Sequence, residues 1–334
     1  MRISVAMATR NAQRHVQPLL ESLTRQTHTP AELVVHDDAS EDDTVAMLEA
    51  FAGSAPFPVR VEHAQAPRGP TEGFLRAAEM CDGELVAFCD QDDVWLDRKL
   101  EVCVGFMALS GAGLAVHTTK VVDDELREIG PQWPQIHTTR LVPPLGFTGL
   151  HLDAPGMTMV FRRSLLEVCD AGRRPPSRYT ATEKMLHDEW VLFLAGIAGP
   201  IQLIADPLVL YRQHEDNLSG WFERKRLMTL RPLVDDYQAA ATYTSACASF
   251  LETARVEDPG LVDRVRVGAL QYRRLAERWS LRANLYSTRS RARRAWAVAR
   301  LFSQRAYGSR TSGGFGPRAL GKDLVAGVGL RTSA

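Results

Sequence analysis

The sequence predicts an α/β protein in which a mostly parallel sheet is flanked by helices and followed by a helical appendage. Three observations carry this. Strand-length apolar runs alternate with helical stretches four times before residue 110; the fourth run, Leu85-Val86-Ala87-Phe88-Cys89, ends in three carboxylates within four positions, Asp90-Gln91-Asp92-Asp93; and beyond residue 222 the pattern turns helical. Strands alternating with helices of this length imply right-handed βαβ units and therefore a parallel sheet.

The elements follow in order. Residues 3–7 read as a strand, with a helix over about 16–26; 32–35 precede a helix over 44–51; 59–61 precede one over about 71–80; and 85–89 precede one over 96–109. The run at 85–89 has two apolar faces, which suits the centre of a parallel sheet. From 111 to about 221 the pattern is less regular and punctuated by Pro131, Pro134, Pro143, Pro144, Pro155, Pro175 and Pro176. Such a stretch inside a domain is more often functional loop than packed core. Within it a strand is expected over 157–161 and a helix over 189–198. The helical pattern then runs from 222 to about 307, and the composition of residues 308–314 is that of a flexible tail.

The bulk numbers fit a soluble globular chain. It has 334 residues, 45% hydrophobic and 24% charged, with a formal net charge of zero. That length allows one large α/β domain plus an appendage. The five cysteines form no C-x-x-C pair, which favours buried thiols in a reducing compartment over disulfides or a zinc site. With no apolar stretch of membrane-spanning length and no signal-peptide pattern, a cytoplasmic location is expected. The charge is uneven, however: thirteen Arg lie between Arg264 and Arg310, with Glu277 the one acid among them. Such helices can be solvated, can touch anionic lipid headgroups, or can form a homodimer interface. No nucleic-acid partner is expected.

Ligands of open α/β sheets bind at the carboxyl ends of the strands. Three strand ends carry polar clusters: Ala8-Thr9-Arg10-Asn11, His36-Asp37-Asp38-Ala39-Ser40, and the Asp90 run. Asp90 and Asp92, two apart on a turning backbone, can approach one hard cation, or the run can be a solvated turn capping the next helix. Asp38 can accept from a pyrimidine N–H or cap a helix, and Arg68 can meet a base or phosphate or decorate a surface turn. Further on, Asp188 in His187-Asp188-Glu189-Trp190 reads either as a helix cap or as a general base. Tyr211-Arg212-Gln213-His214 precedes Asn217-Leu218-Ser219-Gly220.

In this order the motifs resemble the family 2 glycosyltransferases, inverting enzymes of the GT-A (Rossmann-like) fold, and within them the rhamnosyltransferase-like subgroup. The matching segments are residues 6–11, Asp37-Asp38-Ala39-Ser40 with Asp42, Asp90 to Trp95, His187 to Trp190, and Tyr211 to His214. The resemblance implies a GT-A domain over 1–220, with a nucleotide-binding half at 1–110 and an acceptor-binding half at 111–220, and a C-terminal helical region over 221–334. It implies nucleotide contacts from Thr9, Arg10, Asn11, Asp38, Arg68, Asp90 and Arg212. Asp92, Asp90 and His214 would hold Mg²⁺ or Mn²⁺, and Asp188 would be the catalytic base, with Glu189 its rival. Arg68 stands where many relatives have Asn.

The expected function is transfer of one sugar, with inversion, from a nucleotide-diphosphate donor to a saccharide or lipid-linked oligosaccharide acceptor in cell-surface polysaccharide assembly. A dTDP-rhamnose donor is favoured and a UDP-sugar is next; a peripheral position at the inner membrane face would suit the Arg-rich helices. The alternatives are an inactive nucleotide-sugar-binding scaffold and a nucleotidyltransferase. Against the latter, Ala8-Thr9-Arg10-Asn11-Ala12 lacks the glycines of a phosphate loop.

Overall fold

The computed structural model describes residues 1–145, 154–179, 182–215, 233–256, 258–308 and 314–328. These fall into two compact units, the first within Met1–Pro143, Leu152–Val168 and Leu186–Gly220, the second within Pro144–His151, Cys169–Met185 and Trp221–Ala334. The motif at 217–220 and the segments 222–232 and 309–313 lie outside the described residues.

The first unit opens with the expected alternation: β1 (Ile3–Thr9), α1 (Val16–Thr24), β2 (Glu32–Asp37), α2 (Thr44–Ala52), β3 (Val59–His63), α3 (Pro70–Met80) and β4 (Leu85–Cys89). Strands β1, β2 and β4 are buried along their whole length, which is what their unbroken apolar runs require. Then come β5 (Val94–Trp95), α4 (Lys99–Ser110), β6 (Leu114–Val122), β7 (Arg140–Val142), β8 (Met159–Arg162), α5 (His187–Ala198) and β9 (Ile201–Arg212). The expected strand at 157–161 thus begins at Met159, after a 3₁₀ turn over Gly156–Thr158. The helix expected at 189 begins two residues earlier, at His187.

All nine strands of the described residues join one mixed sheet in the order β3-β2-β1-β4-β8-β6-β9-β5, with β7 also on β9. Strand β4 is central, but its neighbours differ: it runs parallel to β1 and antiparallel to β8. Two antiparallel steps, β4 to β8 and β8 to β6, restore the original direction, and β9 runs parallel to β6. Six strands, β1, β2, β3, β4, β6 and β9, therefore end at the same edge. The sequence reading missed β6 and β9 for a physical reason. In β6 the apolar run is broken by His117, Thr118 and Thr119, all buried, and β9 contains Pro207 where the pairing register shifts. A proline at an irregularity is tolerated in a sheet but erases the strand signal.

The second unit is mainly helical: α6 (Leu233–Thr253), α7 (Pro259–Ser287), α8 (Arg291–Ser303) and α9 (Pro317–Val328). Helix α7 starts as physical chemistry recommends, with Asp258 accepting from the Gly260 N–H at 2.8 Å and Pro259 in the first turn. Near its C-terminal end it holds a buried ion pair. The Arg282 guanidinium donates to both oxygens of Asp323 on α9, at 2.9 and 3.0 Å, and Tyr286 and Tyr307 hydroxyls donate to the same carboxylate. The Tyr237 and Phe315 rings flank the guanidinium, 4.4 and 4.6 Å from their centroids. Breaking such a pair strands a charge in the core. Asp323→Ala is expected to cost about 3–5 kcal/mol in denaturant unfolding, whereas a cost under 1 kcal/mol would show that Arg282 finds another partner.

Candidate functional site

The shared carboxyl edge gathers residues that are far apart in sequence. At the end of β1, the Thr9 hydroxyl donates to Asp37 at 2.9 Å, and the Arg10 N–H donates to the Gln91 side chain at 2.8 Å. Gln91 returns a bond to the Arg10 carbonyl, so the first strand end and the acidic turn are laced together. Asn11 sits at φ 49°, donates its N–H to Ser40 and accepts from the Glu41 N–H. Ala39 also has a positive φ, 59°, a conformation that costs a side-chain-bearing residue roughly 1–2 kcal/mol. Strain of this kind concentrates where a loop must hold one shape for a ligand.

The two adjacent aspartates of β2 have different duties. Asp37, fully buried, accepts from Thr9, from the Ser40 N–H and hydroxyl, and from His63 at 2.8 Å. Burial opposes its charge, but these donors outweigh burial and hold the carboxyl below its usual range. Asp38 accepts the Arg68 and Gly69 N–H groups at 2.6 and 2.8 Å. It thereby pins the turn into α3, where Gly69 takes φ 90°. The Arg68 side chain remains exposed at the start of α3.

The acidic turn is the focus. His214 Nε2 stands 2.9 Å from Asp92 Oδ2, so two of the three sequence-predicted metal residues, 122 positions apart, meet. The His214 ring lies 4.5 Å, centroid to centroid, from that of His15, and His15 pairs with Asp124 at 2.8 Å. Arg14 also reaches Asp124. Buried Arg212 underlies the whole: its N–H donates to Asp93 at 3.1 Å, its Nε to the Asp92 carbonyl at 2.8 Å, and its Nη1 to the Asp124 carbonyl. Arg212 thus clamps the ends of β4, β6 and β9. Asp90 precedes this turn directly after β4.

Beneath the turn lies a buried cation. The Lys99 ammonium is fully buried, donates to the Met157 carbonyl at 2.8 Å and stands 3.2 Å from the centroid of the Trp95 ring. Burial pulls its pKa down to about 8, against the pull of Cys89, Cys103, Asp93 and Asp90. Asp93 is equally buried, and burial followed by the charges of Asp92 and Asp90 pushes its carboxyl well above the ordinary range. Asp93 therefore serves the fold, and Asp92 with Asp90 remain at the edge.

Asp188 reaches the same edge through its neighbour. His187 stacks on Phe74 at 4.1 Å and meets Phe88 of β4 edge-on at 5.0 Å, and a Cβ at Gly156 would come within 2.6 Å of its Nε2. Gly156 leads into β8, whose first residues lie beside the end of antiparallel β4. The start of α5 is thereby fixed near Asp90. Glu189 accepts the Leu186 N–H at 3.1 Å and closes the helix start, while Asp188, 7% exposed, accepts the Glu189 N–H at 2.7 Å. Gln91, His15, Asp124 and His63 were not anticipated from the sequence. Each acts alone across a long separation, and only Gln91, inside the acidic run, carried a local signal.

A sheet with a nucleotide-type carboxyl edge, an acidic turn after its central strand and a helix-borne acid beside it defines a GT-A glycosyltransferase domain. Residues 4–169 match the family model described as Glycosyl transferase family 2. An uncharacterized glycosyltransferase of Nostoc sp. is 26% identical over 220 residues, covering 65% of this chain and 66% of that protein. The Escherichia coli enzyme WfgD, a UDP-Glc:alpha-D-GlcNAc-diphosphoundecaprenol beta-1,3-glucosyltransferase, is 31% identical over 105 residues, 31% of this chain and 40% of its own length. The chain thus spans less than two thirds of these curated relatives. Staphylococcus aureus TarS (residues 1–349, with UDP-GlcNAc) has the same fold, with a TM-score of 0.54, 18% identity, and coverage of 98% of this chain and 88% of that one.

Lys99 holds its proton less tightly folded than unfolded, so between about 8 and an unfolded value of about 10.4 the unfolded chain binds more protons and stability rises with pH. The buried Cys103 thiol, pushed by burial to about 12, works in the opposite direction, so the difference between two proteins is the clean readout. Lys99→Met is expected to match or exceed wild-type stability at pH 7, with the gap closing as the pH rises from 8 to 10. A gap that widens over that range would contradict the buried-cation assignment.

Proposed function

We propose that the chain transfers a single sugar, with inversion, from a pyrimidine nucleoside diphosphate donor to a saccharide acceptor, as a step in cell-surface polysaccharide assembly. The observation that carries this reading is the meeting of Asp92 and His214 at the strand edge that also presents Thr9, Arg10, Asn11, Asp38 and Asp90. The nucleoside would lie along the ends of β1 and β2. Asp38 holds the Arg68–Gly69 turn and, with lone pairs to spare, accepts from the pyrimidine N3–H; Arg68 and Arg10 lie exposed for the base and phosphates. UDP-Glc in the name of WfgD supports a UDP-sugar, while the wording of the Asp90–Trp95 and Tyr211–His214 motifs supports dTDP-rhamnose.

The donor set fits a divalent ion of the Mg²⁺ or Mn²⁺ class. Asp92 and His214 would offer one carboxylate and one imidazole, with Asp90 two residues before Asp92 in the same turn, leaving positions for phosphate oxygens. Such an ion neutralises the charge that gathers on a departing diphosphate. The chain's own residues do the rest. Asp188 accepts the proton of the attacking acceptor hydroxyl, and a single base suffices because inversion needs no protein nucleophile. Glu189 is the weaker choice for that role, since its carboxylate closes the helix start. Arg212 keeps the acidic turn in register with the ends of β6 and β9. The diphosphoundecaprenol acceptor in the name of WfgD supports a lipid-linked acceptor here.

Asp188→Asn is expected to lower transfer by about 10²–10⁴ while leaving UDP or dTDP affinity within about twofold of wild type. Glu189→Gln should keep transfer within tenfold of wild type and lose about 1 kcal/mol of stability as a weakened cap. Radiolabelled transfer and titration calorimetry read both, and full transfer by Asp188→Asn would rule it out as the base. Asp92→Ala should abolish the Mn²⁺-dependent part of nucleotide binding; unchanged Mn²⁺ dependence would remove Asp92 from the metal site.

A further inference from the structure

Helix α8 is built unlike a helix packed on all sides or one left in water. Ala297 and Leu301 face the rest of their unit, 2% and 0% exposed. On the opposite side Trp296 and Phe302 are 62% and 65% exposed, the largest apolar side chains so displayed among the described residues of this unit. At helical spacing they flank a strip of exposed Ala292, Ala295 and Ala299. The helix and its two ends are cationic. Arg289, Arg291, Arg293 and Arg305 are exposed and make no ion pair among the described residues, and Arg300 reaches Glu277 only at 3.5 Å. No acid occurs between Glu277 and Asp323 in the sequence.

Aromatic side chains beside a shallow alanine strip, ringed by unpaired guanidinium groups, match the chemistry of a bilayer interface. There an indole and a phenyl ring enter the headgroup–acyl boundary and arginines meet anionic phosphates. We infer that the exposed face of α8 docks the protein on an anionic lipid surface, with Trp296 and Phe302 inserted and Arg289, Arg291 and Arg293 paired with headgroups. Charge complementarity selects the occupant: a face with four unpaired Arg and no acid repels a second copy of itself, whereas a phosphatidylglycerol surface attracts it. The inference depends on the second unit alone and stands apart from the donor chemistry.

The test uses the full chain and vesicles of phosphatidylcholine, with and without about 30% phosphatidylglycerol. Sedimentation with anionic vesicles is expected at low salt, with binding falling at least tenfold on raising ionic strength past the physiological range or on removing the anionic lipid. Charge reversal in R289E/R291E/R293E should weaken partitioning by about a hundredfold, and W296S/F302S by about tenfold, each with an unchanged helical circular dichroism spectrum. The indole emission of Trp296, isolated as the difference from Trp296→Phe, should shift to the blue on vesicle addition. Absence of binding to anionic vesicles at low salt would overturn the inference. So would a wild-type dimer in sedimentation velocity that W296S/F302S converts to monomer, because the face would then be a subunit interface. UDP binding by these variants, read separately, keeps a failure here distinct from a failure of the glycosyltransferase reading.

Discussion

The site depends on Arg212. Its guanidinium and backbone N–H reach the Asp92 carbonyl, the Asp93 carboxyl and the Asp124 carbonyl, so one buried side chain joins the ends of β4, β6 and β9. Without that clamp, the acidic turn would be a set of mutually repelling carboxylates on a free loop. With it, Asp92 is held against His214, and Asp93 is drawn into the core, where burial pushes its carboxyl well above the ordinary range. The arrangement is possible because two antiparallel steps through β8 return β6 and β9 to the direction of β1 to β4. Six strand ends then converge on a single edge.

Carboxylates at that edge divide their labour by the donors around them. Asp37 is consumed in shaping a loop, gathering Thr9, Ser40 and His63, while Asp38 fixes the backbone of Arg68 and Gly69 and keeps lone pairs for a further donor. Glu189 closes the start of α5. Asp90, Asp92 and Asp188 are the acids we propose for the donor, the ion and the acceptor hydroxyl. A buried ammonium, Lys99, lies below them, held by a carbonyl and an indole face and, among the described residues, without a carboxylate ion pair. A hydrophobic residue would fill that space at lower cost in isolation, so the cation reflects the concentration of acid above it.

Much of this was legible in the sequence. Strands β1, β2 and β4 follow from their mainly apolar runs and β3 from its alternation with the flanking helices, and the Asp90 turn and His187–Trp190 stand at the ends of the elements that present them. The site residues that were not legible share one property: they depend on pairs separated by long stretches of chain. His15 finds Asp124 across 109 positions, and Gln91 finds Arg10 across 81. No local pattern marks a lone histidine as half of such a pair. Strands β6 and β9 escaped because buried His117, Thr118 and Thr119 and a mid-strand Pro207 break the patterns by which strands are recognised.

The central claim is that the donor is bound by the shared carboxyl edge of the first unit. Amide hydrogen exchange on the full chain, with and without UDP or dTDP in the presence of Mn²⁺, tests it directly. The account predicts slowed exchange at residues 9–11, 38–41, 68–70, 90–93 and 212–214 on nucleotide addition, with the sheet interior unchanged. Protection confined to the helices of the second unit, or none at the acidic turn, would contradict it.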